Sequence, residues 1–216
     1  MKITSAAFPV FGHSISAQEL VEIDLSSSNV DLKSVNLDDQ AEFEKFIQNS
    51  IASKKGKAGI GGYLENRVIY RRSKHFNDAN SVRCIHLGID VWMPAGTKIY
   101  APFSGTIHSF GINDNYADYG GTLILQHQLG DEQLFSLYGH ISHASLYGIV
   151  VGDKISAGDL IARLGTWNEN GNWPPHLHFQ VILNMLDYSG DFPGVCAPED
   201  KNYFKNLCPD PYPYLF

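Results

Sequence analysis

Between residues 59 and 184, glycine or proline breaks the chain roughly every eight to twelve residues, and the runs between are short and β-rich. Such spacing leaves room for strands of a few residues but not for the crossover helices of βαβ units. The region is therefore expected to form antiparallel sheets. "GGTLILQHQLGDEQLFSLYGH" predicts a hairpin turning near Gly130 and Asp131, and "APFSGTI" and "VVGDKISAGDLIARLG" add strands separated by Gly-Asp turns. The two G-D-x-[I/L] stretches read as turn–strand units, and no longer internal repeat is visible.

The flanks have other textures. In residues 1–58, "LVEIDL" alternates like a strand, and "NLDDQAEFEKFIQNSIASKKG" predicts a helix. Asp39 followed by Glu42 resembles a capping box, and Lys54, Lys55 and Gly56 close the element. Phe43, Phe46, Ile47 and Ile51 form its packing stripe. Residues 185–216 are dense in proline and aromatics and are expected to pack on the body as an irregular tail. The expected organisation is an N-terminal extension (1–58), a β-rich body (59–184) and this tail.

With 216 residues and 44% hydrophobic content, the chain is long enough and apolar enough to bury a core. Its formal charge of −7 argues against a general nucleic-acid binder, which needs a basic footprint. No stretch reaches the eighteen or so apolar residues of a membrane span, and the opening "MKITSAAFPVFGHSISAQEL" lacks a signal-peptide core. Cys84, Cys196 and Cys208 make no C-x-x-C pair. The expectation is a cytoplasmic protein with three reduced thiols; a Cys196–Cys208 bridge would need an oxidising compartment.

Histidine placement carries the chemistry. In "HLHF", His176 and His178 are two apart, so on a strand they face the same way, roughly 6–7 Å apart at the backbone. Alone, such a pair reads as edge-strand histidines facing solvent. His86 and Asp90 sit four apart with Gly88 between them, and on a straight strand their Cα atoms would be roughly 13 Å apart. A helix is disfavoured by Gly88 and the β-branched residues that follow. A loop bent near Gly88 and entering a strand turns both side chains inward, and a shared cation is a reason for such a bend. His140 ends the second hairpin strand. His127 reads as structural within its strand and His143 as a loop residue.

Two histidines and an aspartate fill three positions of a tetrahedral zinc site and leave the fourth for water, the arrangement of catalytic zinc. Nitrogen and oxygen ligands without thiolate suit an open hydrolytic site. Two further histidines remain to handle protons.

The motifs, taken together, resemble a family. H-x-G-x-D-x-x-x-P-x-G-T-x-x-x-A-x-x-x-G-x-I at 86–107, Y-x-H at 138–140, G-D-x-I-x-x-G-x-x-I-A-x-x-G at 152–165 and P-H-L-H-F at 175–179 are similar, in order, to the M23 metallopeptidases of LytM and lysostaphin type. The resemblance spans about residues 80–182. It implies a mainly β fold, a compact antiparallel β-sheet or sandwich, here with an N-terminal α+β extension. It implies Zn2+ bound by His86, Asp90 and His178, with His140 and His176 as the non-ligand pair that activates water and stabilises the oxyanion. The implied substrate is a peptide or peptidoglycan fragment, with no nucleic-acid partner.

Departures from the family pattern bear on the substrate. "TWNENGNWPP" is bulkier than the usual Gly/Ser-rich stretch, which puts Trp167 and Trp173 in a position to reshape the groove, and Pro174–Pro175 replaces a Gly-Pro. The tail is similar to M23-like domains embedded in larger cytoplasmic enzymes beside kinase-like and class III aminotransferase domains. Two other readings compete: a non-catalytic M23-like binding or regulatory module, and a lipoyl-like carrier. The first is disfavoured because all five positions are filled. The second is disfavoured because Lys154 sits in a Gly-Asp turn without methionine neighbours.

Overall fold

The computed structural model describes residues 7–72, 76 and 82–216. Residues 1–6 of the expected extension and 73–75 and 77–81 of the expected body lie outside these. The strands are β1 (Leu20–Glu22), β2 (Ala58–Gly61), β3 (Ile85–His86), β4 (Ile89–Trp92), β5 (Lys98–Tyr100) and β6 (Gly105–Asn113). They continue with β7 (Gly120–Leu129), β8 (Glu132–Ile141), β9 (Lys154–Ile155), β10 (Leu160–Arg163), β11 (His176–Ile182) and β12 (Val195–Cys196). The α-helices among the described residues are α1 (Gln40–Ser53), α2 (Lys201–Leu207) and α3 (Tyr212–Leu215).

Eight strands form one sheet in the order β1-β2-β4-β11-β8-β7-β6-β9, and β5–β10 and β3–β12 form two ribbons. Among the described residues, strand pairing is antiparallel except for β1 with β2, which run parallel because α1 carries the chain across between them. The mainly β, antiparallel fold is thus as the punctuation of the chain implies, with α/β character confined to the N-terminal part. The β7–β8 hairpin turns at Gly130, where φ is +63°.

At the start of α1 the Asp39 carboxylate accepts from the Glu42 amide. The reciprocal half of a capping box is absent, because the Glu42 carboxylate accepts from the amide of Asn36 instead. Phe43 and Ile47 are the buried members of the stripe, and Phe46 and Ile51 pack partly buried beside them. The segment 185–216 is more regular than an irregular tail: β12 pairs with β3, and α2 and α3 follow. Its prolines explain the difference, since Pro198 and Pro211 start helical turns, where a missing N–H is harmless.

The core lies on one face of the large sheet, where Ile89, Val91, Leu123, Leu125, Tyr138, Leu177, Phe179 and Val181 pack against Ile99 and Ile161 of the β5–β10 ribbon. On the opposite face, one apolar cluster gathers Phe43, Tyr70, Trp92 and Trp173, and another gathers Tyr119, Phe135, Ile182 and Phe192. The polar residues of interest sit between these two clusters. No helix among the described residues is long and apolar enough to cross a membrane.

Candidate metal centre

Strand β11 is buried along its whole length, so both of its faces carry meaning. Leu177, Phe179 and Val181 enter the core, and the alternation sends His176, His178 and Gln180 to the other side. Antiparallel pairing sets His178 directly opposite Asp90 of β4 and His176 opposite Trp92. His86 arrives from β3, which is held away from β4 by the break at Leu87–Gly88. Gly88 is required there for space rather than for an unusual φ. A Cβ on it would stand 2.6 Å from Cε1 of His178 and 2.7 Å from the carbonyl oxygen of Phe179.

Three donor atoms converge as a result. His86 Nε2 lies 3.0 Å from His178 Nδ1, His178 Nδ1 lies 3.1 Å from Asp90 Oδ1, and Asp90 Oδ1 lies 3.2 Å from His86 Nε2. Among the described residues this buried trio is a group able to hold a metal ion.

His140 reaches the same face by a different device. Tyr138 belongs to the core, so strict alternation would turn His140 back towards it. Instead β8 carries an extra residue against β7 between the Leu123↔Tyr138 and Gly121↔Ile141 pairs, and His140 adopts φ +62°. This bulge re-aims the imidazole across the site. Its ring centroid stands 4.1 Å from that of His176. His176 Nε2 lies 3.7 Å from Asp90 Oδ1, outside the tight trio.

Each ring is oriented from behind. Nδ1 of His140 donates to the carbonyl of Asn170 (2.8 Å), Nδ1 of His176 to that of Pro174 (2.8 Å), and Nδ1 of His86 to that of Gly62 (3.1 Å). A carbonyl only accepts, so these contacts fix the proton on Nδ1 and leave Nε2 bare towards the centre. His178 is reversed: its Nε2 donates to Gln180 Oε1 (3.0 Å), leaving Nδ1 bare. The Gln180 amide is itself fixed, because its nitrogen donates to the Pro193 carbonyl (3.1 Å) and to Cys208 Sγ (3.3 Å).

Burial brings the His86 pKa down to about 4, helped by the nearby Arg67 charge. It lowers His176 likewise, and His140 well below the usual range, with the neighbouring histidines adding to the effect. Burial alone would raise Asp90. The neighbouring His86, Arg67 and His176 outweigh it and hold the carboxyl well below its usual range.

All five sequence-derived residues, His86, Asp90, His140, His176 and His178, are therefore neighbours. His127 is buried in β7, bonded to Ser136 Oγ (2.7 Å) and the Ser104 carbonyl (3.0 Å), away from the centre. His143 begins a one-turn 3-10 helix and faces Asp114 (3.3 Å). Trp173 packs edge-on against both His140 and His176, whereas Trp167 begins the one-turn 3-10 helix Trp167–Glu169. The cysteines are free thiols, all buried. Sequence reading missed Arg67, whose guanidinium is bonded to Asp90, and Gln180, Asn170 and Tyr119. Gln180 was signalled by continuing the H-x-H alternation by two more residues; Arg67 had no local signal.

Part of the chain is similar to known proteins. Residues 84–188 match peptidase family M23. Lysostaphin of Staphylococcus staphylolyticus is 33% identical over 106 residues, covering 49% of this chain and 20% of that protein. Glycyl-glycine endopeptidase ALE-1 of Staphylococcus capitis is 28% identical over 130 residues, 60% of this chain and 29% of its own. Among solved structures, the catalytic domain of the antimicrobial peptidase lysostaphin from Staphylococcus simulans is 29% identical, covers 56% of this chain and 80% of that one, and has a TM-score of 0.39. The chain spans only 20% of lysostaphin's length. The segment matched to peptidase family M23, residues 84–188, contains all five converging residues.

Proposed function

We propose that the protein is a zinc-dependent peptidase that hydrolyses a peptide bond, with His86, Asp90 and His178 holding the metal and His140 and His176 managing protons. The observation that carries this reading is the convergence of three bare donors within 3.2 Å beside a second pair of bare imidazole nitrogens. Ligand atoms at the usual zinc distances of about 2.0–2.1 Å stand about 3.3 Å apart in a tetrahedron, so the spacing fits one ion without rearrangement. Nitrogen and carboxylate donors without thiolate suit zinc in a hydrolytic role.

Bound zinc supplies Lewis acidity to the substrate carbonyl and lowers the pKa of water at the centre. The remaining work falls to the chain. His140 and His176 are held neutral by burial, with Nε2 free to accept a proton from the attacking water. Once protonated, the same nitrogen donates to the developing oxyanion or to the departing amine. The carbonyls of Asn170 and Pro174 hold the rings in place throughout this exchange. The name glycyl-glycine endopeptidase supports a glycyl-glycine bond as the one cleaved, and the family resemblance supports a cell-wall peptide as its carrier.

Elemental analysis of the purified protein, followed by cleavage of a pentaglycine peptide with and without chelator, tests this. One zinc per chain and chelator-sensitive cleavage are expected. A folded protein that takes up no stoichiometric metal after reconstitution would sink the metal centre. Stoichiometric zinc with no hydrolysis of any peptide would leave a non-catalytic member of the family.

A further inference from the structure

Arg67 lies outside the segment matched to the family, yet it touches the centre. Its side chain is 1% exposed, and Nη1 donates to Asp90 Oδ2 at 2.5 Å. Asp90 thus presents Oδ1 to the histidines and has Oδ2 taken up from behind. The guanidinium is positioned by Glu65, whose Oε2 accepts from Nε (2.7 Å) and whose Oε1 accepts from the Leu25 amide (2.9 Å), and by a contact to Tyr70 Oη (3.2 Å). Its other terminal nitrogen, Nη2, is buried without a hydrogen-bond partner among the described residues. An arginine placed only to fill space would have its donors satisfied; here the fork is turned to favour the aspartate. Gly61, paired with Asp90 across β2–β4, makes room for it: a Cβ there would stand 2.6 Å from Arg67 Nη2 and 2.6 Å from the Trp92 ring.

We propose that Arg67 is a positioning residue that restricts Asp90 to one-oxygen coordination of the metal and thereby keeps a coordination position open for substrate or water. This rests on the metal centre proposed above. A carboxylate with both oxygens free binds a dication through one or both. One whose second oxygen accepts a short charge-assisted bond has only the first to offer. Arg67 also balances the buried Asp90 charge when no metal is bound, so the site is formed before the ion arrives.

Cobalt(II) alone is the probe, since four-coordinate cobalt absorbs visible light several-fold more strongly than five-coordinate cobalt. The wild-type protein is expected to give the intense four-coordinate spectrum. R67M should give a several-fold weaker, five-coordinate-like spectrum, and R67K, which keeps the charge but not the fork, an intermediate one. Without metal, R67M should melt well below wild type, and cobalt should raise its Tm by roughly 5–10 °C more than it raises that of wild type. If R67M does not fold, G61A decides, because it displaces the guanidinium without removing it and should shift the spectrum in the same direction. A five-coordinate wild-type spectrum, or folded R67M and G61A proteins with wild-type spectra, overturns the role of Arg67. Failure of the wild type to take up cobalt overturns the metal centre itself.

Discussion

His140 and His176 face each other with ring centroids 4.1 Å apart, and each is anchored through Nδ1 to a backbone carbonyl from the loop 170–174. Neither belongs to the tight donor trio. Replacing either one should leave zinc stoichiometry intact and lower hydrolysis of a glycine-rich peptide by roughly 10²–10⁴-fold. Asparagine is the replacement of choice at His140, because it tolerates the φ of +62° there better than alanine. His178→Ala, by contrast, should lose metal and activity together. If His176→Ala empties the site while His178→Ala stays loaded, the two roles are reversed.

Gln180 accepts the Nε2 proton of His178 and so dictates which ring nitrogen faces Asp90. Gln180→Leu leaves that proton with only Tyr119 Oη, at 3.5 Å. Metal affinity measured by chelator competition should fall by roughly 10–100-fold. Unchanged affinity would show that the imidazole is held by packing alone.

Gly88→Ala forces a methyl group against the His178 ring and the Phe179 carbonyl. A loss of roughly 1–3 kcal/mol in stability is expected, together with weakened metal binding, because the ring that must move is one of the proposed ligands. Gly62→Ala is the control: its Cβ meets nothing closer than 3.6 Å. Equal effects from the two substitutions would remove the special status of Gly88.

The metal-free protein should lose stability as the solution is acidified. His86 has a folded pKa of about 4, below its ordinary 6.5, and burial shifts His140 and His176 in the same direction. The native state then binds fewer protons than the unfolded chain below pH 6.5. This contribution is fully present above that pH and is lost as pH falls towards 4, by up to about 1.4 kcal/mol per pH unit for each histidine. Asp90, whose folded pKa is depressed, adds a further loss only below its ordinary 3.8. Urea titrations in the presence of chelator at several pH values between 7.5 and 4.5 would reveal the slope. A flat profile would mean that the rings are protonated in the folded state.

Much of the site was legible in the sequence because strand periodicity maps spacing directly onto direction. His176 and His178 had to share a face, and a glycine between His86 and Asp90 had to mark a break. The position of His140 was less accessible. Alternation alone sends it to the core side, and only the extra residue in β8 turns it round, a bulge whose sole local trace is the neighbouring Gly139. Arg67 could not have been found by spacing: it is 23 residues from Asp90, and their contact depends on β2 lying beside β4. The helices after Pro198 and Pro211 were obscured because proline reads as a breaker unless the helix begins at it.

The pairing of β2 with β4 has a practical consequence for anyone wishing to transplant this chemistry. A fragment cut at the boundaries of family resemblance, 84–188, would carry every histidine discussed above. It would also strip β4 of its neighbour, baring a row of amides and carbonyls ready to recruit a foreign strand. The portable unit therefore starts well upstream of the motifs that advertise it, at the parallel strand pair that seals this margin of the sheet.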